Sequence, residues 1–162
     1  MKETFAIPAA GAIISQEIGG AHCILLQERQ KSDGGITNGL LEIPAGKIRA
    51  YENIYDALCR EVWEETGLTV TEIAGEAQCR ASSCGGFDTI SFQPYCITQN
   101  LSGAYSLLLC TFLCHTEGVL LDSTDETAHL RWVPLDEARQ MLQDRPEAFF
   151  PMHLNALRQY LA

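Results

Sequence analysis

The sequence predicts a layered α/β domain. Three features point there. β-like and helix-like segments interleave along the whole chain, no repeat, low-complexity tract or linker divides it, and residues 54–66 carry helix signals at both ends. With 162 residues and 46% hydrophobic content, the chain can bury about two-thirds of its unfolded surface in one core and is read as a single domain over 1–162.

Taken in order, residues 5–14 and 21–29 are β-like runs separated by a Gly19-Gly20 turn, and 32–39 is a polar, glycine-rich loop. A strand then ends at Pro44, and Ile43-Pro44-Ala45-Gly46 reads as a strand end running into a tight loop. The helix over 54–66 has Asn53 as N-cap, Asp56 three residues on, and Gly67 where a left-handed terminating residue is wanted. Beyond it, 69–82 and 86–98 read as strands around the turn at 82–86, with a third strand over 104–115. Residues 122–126 form an acidic loop, 129–133 a short strand, and 135–143 and 146–161 two helices, with Pro146 suited to the first turn of the second.

The helix over 54–66 carries its charge in an unfavourable place. At about 100° per residue, Ala57, Glu61, Glu64 and Glu65 share one arc, with Ile54 and Leu58 at its border. Like charges three and four residues apart repel by roughly 0.2–0.5 kcal/mol a pair, and anions near a helix C-terminus oppose its dipole by about 0.3–1 kcal/mol each. A hard divalent cation would remove both penalties. Small residues at Ala45 and Gly46 let main-chain carbonyls approach the same place, and carbonyl plus carboxylates is an all-oxygen set suited to Mg²⁺ or Mn²⁺.

The run GKIRAYENIYDALCREVWEETGL over 46–68 resembles the Nudix box at every defining position: Gly46, Glu52, Arg60-Glu61-Val62, Glu64-Glu65 and Gly67-Leu68. The resemblance implies a Nudix-type α/β/α sandwich with a mixed β-sheet, and a hydrolase that cuts a diphosphate joining a nucleoside to another group. It implies Glu61, Glu64 and Glu65 as metal ligands, completed by a carbonyl of Ala45 or Gly46. Arg60 and Glu52 become the pair that fixes the loop and orients the carboxylates. The general base is Glu61 or Glu126, since some relatives place a base on a loop well downstream, and 122–126 is the acidic loop here. The stretch 41–48 looks more like the approach to the box in ADP-ribose and nucleotide-sugar pyrophosphatases than in enzymes of nucleoside triphosphates. Cys84 stands sixteen residues beyond the box, where many ADP-ribose enzymes have proline. A house-cleaning triphosphate hydrolase and a non-catalytic, nucleotide-binding regulatory domain are the other readings.

Composition excludes several partners. A net charge of −10 leaves no Lys/Arg stripe for a nucleic acid backbone, so the expected partner is a small nucleotide, drawn in by metal and by Arg29, Lys31, Lys47, Arg49 or Arg80. Phe87, Tyr51 and Trp132 are candidates to stack on its base. The apolar run 106–114 is too short to span a bilayer. Seven scattered cysteines form no disulfide framework and no signal segment is visible, so a cytoplasmic protein with reduced thiols is expected. Cys110-x3-Cys114-His115 lacks a partner pair for zinc and reads as buried strand. A homodimer through the N-terminal strands, as in some relatives, stays open.

Overall fold

A long antiparallel hairpin organises the protein. The structure, a computed structural model, describes residues 3–32 and 35–162. β1 (Ile7–Ile18) turns at Gly19-Gly20 into β2 (Ala21–Arg29), and both glycines adopt the positive φ that such a tight turn needs, 58° and 83°. β1 therefore runs four residues beyond the end read from sequence. The tip of the loop at 33–34 lies outside the described residues, and a single 3-10 turn follows it at Gly35–Thr37.

The strand expected to stop at Pro44 does not run into a loop. It is β3 (Leu41–Glu42), paired with β2, followed directly by β4 (Ala45–Lys47), paired with the first half of β1. Ala45 and Gly46 thus lie in a strand. Ala12 N–H donates to the Pro44 carbonyl at 2.9 Å and Ile48 N–H to the Pro8 carbonyl at 3.0 Å, which brackets Gly46 as a ladder-bonded partner of Ala10. Ala45 and Lys47, in the alternate positions, turn their main-chain groups away from β1.

The helix α1 (Ile54–Thr66) has the bounds expected of it. Asn53 Oδ1 accepts from Tyr55 N–H at 2.9 Å, and Gly67, at φ 76°, returns its N–H to the Trp63 carbonyl at 2.9 Å. Past it, the long strands read from sequence break up. β5 (Thr69–Ile73) ends before a 3-10 turn at Glu76–Gln78, and β6 (Arg80–Cys84) and β7 (Phe87–Ser91) form a separate two-stranded sheet. Pro94, which has no N–H to give a ladder, lies between β7 and β8 (Cys96–Gln99). β9 (Leu107–Glu117) and β10 (Thr127–Pro134) complete the strands, and α2 (Leu135–Asp144) follows.

The expected helix over 146–161 is the largest correction. It consists of 3-10 turns at Pro146–Ala148 and Pro151–His153 and a short α3 (Leu154–Tyr160). Pro151 disfavours helical backbone at Phe150, whose N–H instead donates to the Leu41 carbonyl at 2.8 Å, and Phe149 bridges to Leu41. This pins the segment to β3.

The main sheet runs β10-β2-β1-β9-β5, with β3, β4 and β8 on its flanks, and is mixed because β1 and β9 are parallel. β1 is buried on both faces. Its even residues Ala10, Ala12 and Ile14 pack with Ile54, Leu58 and Val62 of α1, while Ile13 packs with Ala138, Leu142, Ala156 and Leu157 of α2 and α3. Helices therefore cover both sides, as the sandwich requires. Cys110 and Cys114 are buried in β9 as expected, and all seven cysteines are free thiols. Among the described residues no helix is long and apolar enough to cross a membrane.

Candidate active site

The carboxyl end of α1 faces β4 across a tight gap, and Gly46 makes that approach possible. A Cβ placed on Gly46 would sit 1.9 Å from the Glu61 carboxyl carbon. Glu61 and Glu64 are both held by Arg60, whose Nη1 donates to Glu61 Oε1 at 2.5 Å and to Glu64 Oε2 at 3.3 Å. The same guanidinium grips Glu52 with two bonds, from Nε at 2.7 Å and Nη2 at 2.9 Å, and also donates from Nη2 to the Lys47 carbonyl at 3.2 Å. Glu52 closes the loop by accepting from Arg49 N–H at 2.8 Å, and its bonds to Arg60 hold its carboxyl down at about 2. Arg60 and Glu52 are thus a structural clamp between loop and helix.

Glu65 points elsewhere. It is 2% exposed, and its Oε2 accepts from Gln27 Nε2 at 2.8 Å and from Ala45 N–H at 3.1 Å. Its Oε1 lies 3.3 Å from Lys31 Nζ, which also pairs with Glu126. Burial pushes the Glu65 carboxyl up to about 7, with Lys31 pulling against that shift. Glu126 is half-exposed, and the Gln30 N–H bond to its carbonyl at 2.8 Å anchors the acidic loop beside β2. Thr127, fully buried, donates from Oγ1 to the Glu65 carbonyl at 3.0 Å and ties that loop to the helix end.

Among the described residues no three acidic, histidine or cysteine side chains converge as a ready-made metal cage. Arg60 pairs with Glu61 and Glu64, and Lys31 with Glu65. The donor chemistry fits a hard divalent cation: Glu61 and Glu64 beside the cradle at Gly46 that any side chain would fill, with the Ala45 carbonyl outside the β1 ladder, while Glu65 joins them only by giving up a bond to Gln27 or Lys31. Of the two carbonyls expected from sequence, the register leaves Ala45 free and commits Gly46.

Ala45, Gly46, Arg60, Glu61, Glu64 and Glu126 line a cleft of about 570 Å³. Arg29, Lys31, Lys47 and Arg49 line it, but Arg80 is on the separate β6–β7 hairpin. None of the aromatic candidates lines it: Tyr51 and Phe87 are exposed, and Trp132 packs on the core beside α1. Tyr105 and Phe150 form the aromatic wall, their ring centroids 6.4 Å apart. Glu42, 3% exposed, pairs with Arg29 at 3.2 Å, and burial raises its carboxyl above the usual range. His153 is buried, accepts at Nδ1 from Ile43 N–H at 3.0 Å, and is driven down to about 3 by desolvation, so it is neutral. Sequence reasoning missed Gln27, Glu42, His153, Tyr105 and Phe150 as parts of the site. Gln27 alone left a signal: it lies two residues after Leu25, on the strand face that meets the acidic helix.

A family model described as the NUDIX domain matches residues 6–152. No curated protein sequence matches the chain. Solved structures with the same fold include a MutT protein from Methanosarcina mazei Go1, at 19% identity and TM-score 0.66, with 99% of this chain and 96% of that one covered. The NUDIX domain of Shewanella oneidensis NrtR, complexed with ADP ribose, superposes at 14% identity and TM-score 0.65, covering 98% and 88%. A C. elegans Ap4A hydrolase follows at 15% identity and TM-score 0.56, covering 96% and 95%. At these identities the likeness is one of fold.

Proposed function

The chain belongs to the Nudix family of pyrophosphohydrolases, which generally need divalent cations, and on that footing we propose that it cleaves the pyrophosphate bond of a nucleoside diphosphate linked to another moiety, such as ADP-ribose or a nucleotide sugar. The observation that carries this reading is one cleft lined by carboxylates and cations together with the aromatic residues Tyr105 and Phe150. A nucleoside diphosphate derivative needs both kinds of surface.

Glu61, Glu64 and Glu65, with the Ala45 carbonyl, would hold Mg²⁺ or Mn²⁺, which supplies neutralisation of phosphoryl charge and activation of water. Arg60 and Glu52 fix the loop against the helix, so the carboxylates are positioned before substrate arrives. Arg49 and Lys47 border the cleft and draw the diphosphate toward an otherwise acidic protein of net charge −10. The base that takes the proton of the attacking water is Glu61 or Glu126. Both line the cleft, and Glu126 is the more exposed. The partner is a small nucleotide, not a nucleic acid.

The test is a panel of ADP-ribose, nucleotide sugars, dinucleotides and triphosphates with Mg²⁺. Nucleoside monophosphate released from the diphosphate derivatives supports the reading. Pyrophosphate released from triphosphates supports a house-cleaning enzyme, and silence throughout supports a binding domain. Glu61→Gln and Glu65→Gln are each expected to lower turnover by roughly 10²-fold or more with the fold kept. Near-normal turnover of either variant in excess Mg²⁺, measured beside its circular dichroism, would refute the assignment.

A further inference from the structure

Gln27 meets Glu65 from inside the core. It lies on β2, is 0% exposed, and donates from Nε2 to Glu65 Oε2 at 2.8 Å. The same amide bears on Glu42, directly opposite it in the β2–β3 pairing, and helps hold that carboxyl down against its burial. Its own Oε1 is buried and accepts from no group among the described residues. A buried acceptor without a partner carries a desolvation penalty, and a methionine would fill similar space without one. Gln27 is therefore a poor choice for packing, and its donor half is what the site uses.

The two oxygens of Glu65 are held in different ways. Oε2 accepts from Gln27 and from Ala45 N–H at 3.1 Å, which fills both of its lone-pair positions with donors fixed on β2 and β4. Among the described residues Oε1 meets only Lys31 Nζ, at 3.3 Å. Lys31 lies two residues beyond the end of β2, its side chain is 20% exposed, and it lines the cleft. A lysine on its flexible stem can turn aside, whereas a buried amide on an inner strand is held by its packing. Ala45 also carries its carbonyl on the same outer edge of β4 as the N–H that Glu65 accepts. The bond to Ala45 thus ties Glu65 beside the main-chain oxygen of the candidate metal site.

We propose that Gln27 is a positioning residue: with Ala45 N–H it fixes Oε2, so that Oε1 is the oxygen Glu65 offers to a divalent ion and Lys31 is the group that yields. The inference rests on the metal-site reading above and deepens it, because it assigns the bond that Glu65 gives up to Lys31 and not to Gln27. Two residues bonded to one carboxylate then act in opposite senses. Loss of the amide lets the carboxylate turn and weakens its hold on the ion. Loss of the lysine removes a competing positive charge and strengthens that hold.

The experiment is a Mg²⁺ titration of thermal melting, at constant ionic strength, for wild type, Gln27→Met and Lys31→Met, read as a dissociation constant through binding linkage. Gln27→Met is expected to weaken Mg²⁺ binding about tenfold or more, the range found for partners that orient a metal ligand. Lys31→Met should tighten it by a factor of about three or more. A residue that merely packs the core would lower the melting temperature at every Mg²⁺ concentration and leave the dissociation constant alone. Unchanged affinity in Gln27→Met, or unchanged or weaker affinity in Lys31→Met, would overturn the proposal. Should Gln27→Met not fold, Lys31→Met decides by itself. A wild type indifferent to millimolar Mg²⁺ would sink the metal site together with this inference, whereas wild-type binding matched by Gln27→Met would sink this inference alone.

Discussion

At Gly46 the missing side chain is what lets the Glu61 carboxylate lie against β4, since a Cβ there would fall 1.9 Å from its carboxyl carbon. The obstacle is the tip of a flexible side chain, so Gly46→Ala should leave thermal stability within a few tenths of a kcal/mol while displacing Glu61 and cutting turnover at least about tenfold. Turnover close to wild type, at an unchanged melting temperature, would show that Glu61 need not sit there. His153 makes a different prediction. Its folded pKa, about 3, lies below the ordinary histidine value of 6.5, so between those pH values the unfolded chain binds a proton that the folded one does not. Its contribution is complete above 6.5 and is lost at up to about 1.4 kcal/mol per pH unit as pH falls through that window. The buried carboxyls Glu42 and Glu65, both raised, act in the opposite sense, so the effect is read as the difference between wild type and His153→Gln. That difference should shrink on acidification from pH 7 to 5 in denaturant melts. A constant difference would place the His153 proton elsewhere.

Among the elements, α1 was fully legible in the sequence because its signals are local. Asn53 and Gly67 cap it through bonds to residues within four positions, and its acidic flank follows from helical spacing alone. Gly67 carries a second constraint that no local pattern shows, since Leu121 packs over it and a Cβ at φ 76° would lie 2.7 Å from the Leu121 Cγ. Gly67→Ala should therefore cost about 1–2 kcal/mol, seen as a lower midpoint in urea at unchanged slope. No shift would mean that the cap relaxes freely. The segment 146–161 was illegible for the opposite reason. Its apolar spacing suits a helix, but Phe149 and Phe150 are drawn out to bond Leu41, a partner more than a hundred residues away. The same event brings Phe150 and His153 to the cleft. Likewise 69–82 was read as one strand, although Ala74-Gly75-Glu76-Ala77 is poor in strand formers and pairing moves to a second sheet after the turn at Glu76–Gln78.

Over the whole molecule, the divide between what the sequence revealed and what it concealed follows chain separation. The carboxylates of the candidate metal site come from three residues, Glu61, Glu64 and Glu65, within one short stretch of chain, and were visible at once. The cleft around them is assembled from β2, β3, β4, the approach to β9 and the link before α3, so Arg29, Glu42, Tyr105 and Phe150 meet only in the fold. The charge balance has the same origin. A protein of net charge −10 concentrates acid at the end of α1, where Arg60 and Lys31 pair with it. If those glutamates are kept together for a metal, the folded state must bind that metal and the unfolded chain must not. Melting temperature followed through a Mg²⁺ titration, at constant ionic strength, tests this most directly. Wild type should gain stability progressively into the millimolar range, as binding linkage requires, and Glu65→Gln should lose most of that gain. A wild-type melting temperature indifferent to millimolar Mg²⁺, or an equal rise in the variant, would contradict the account.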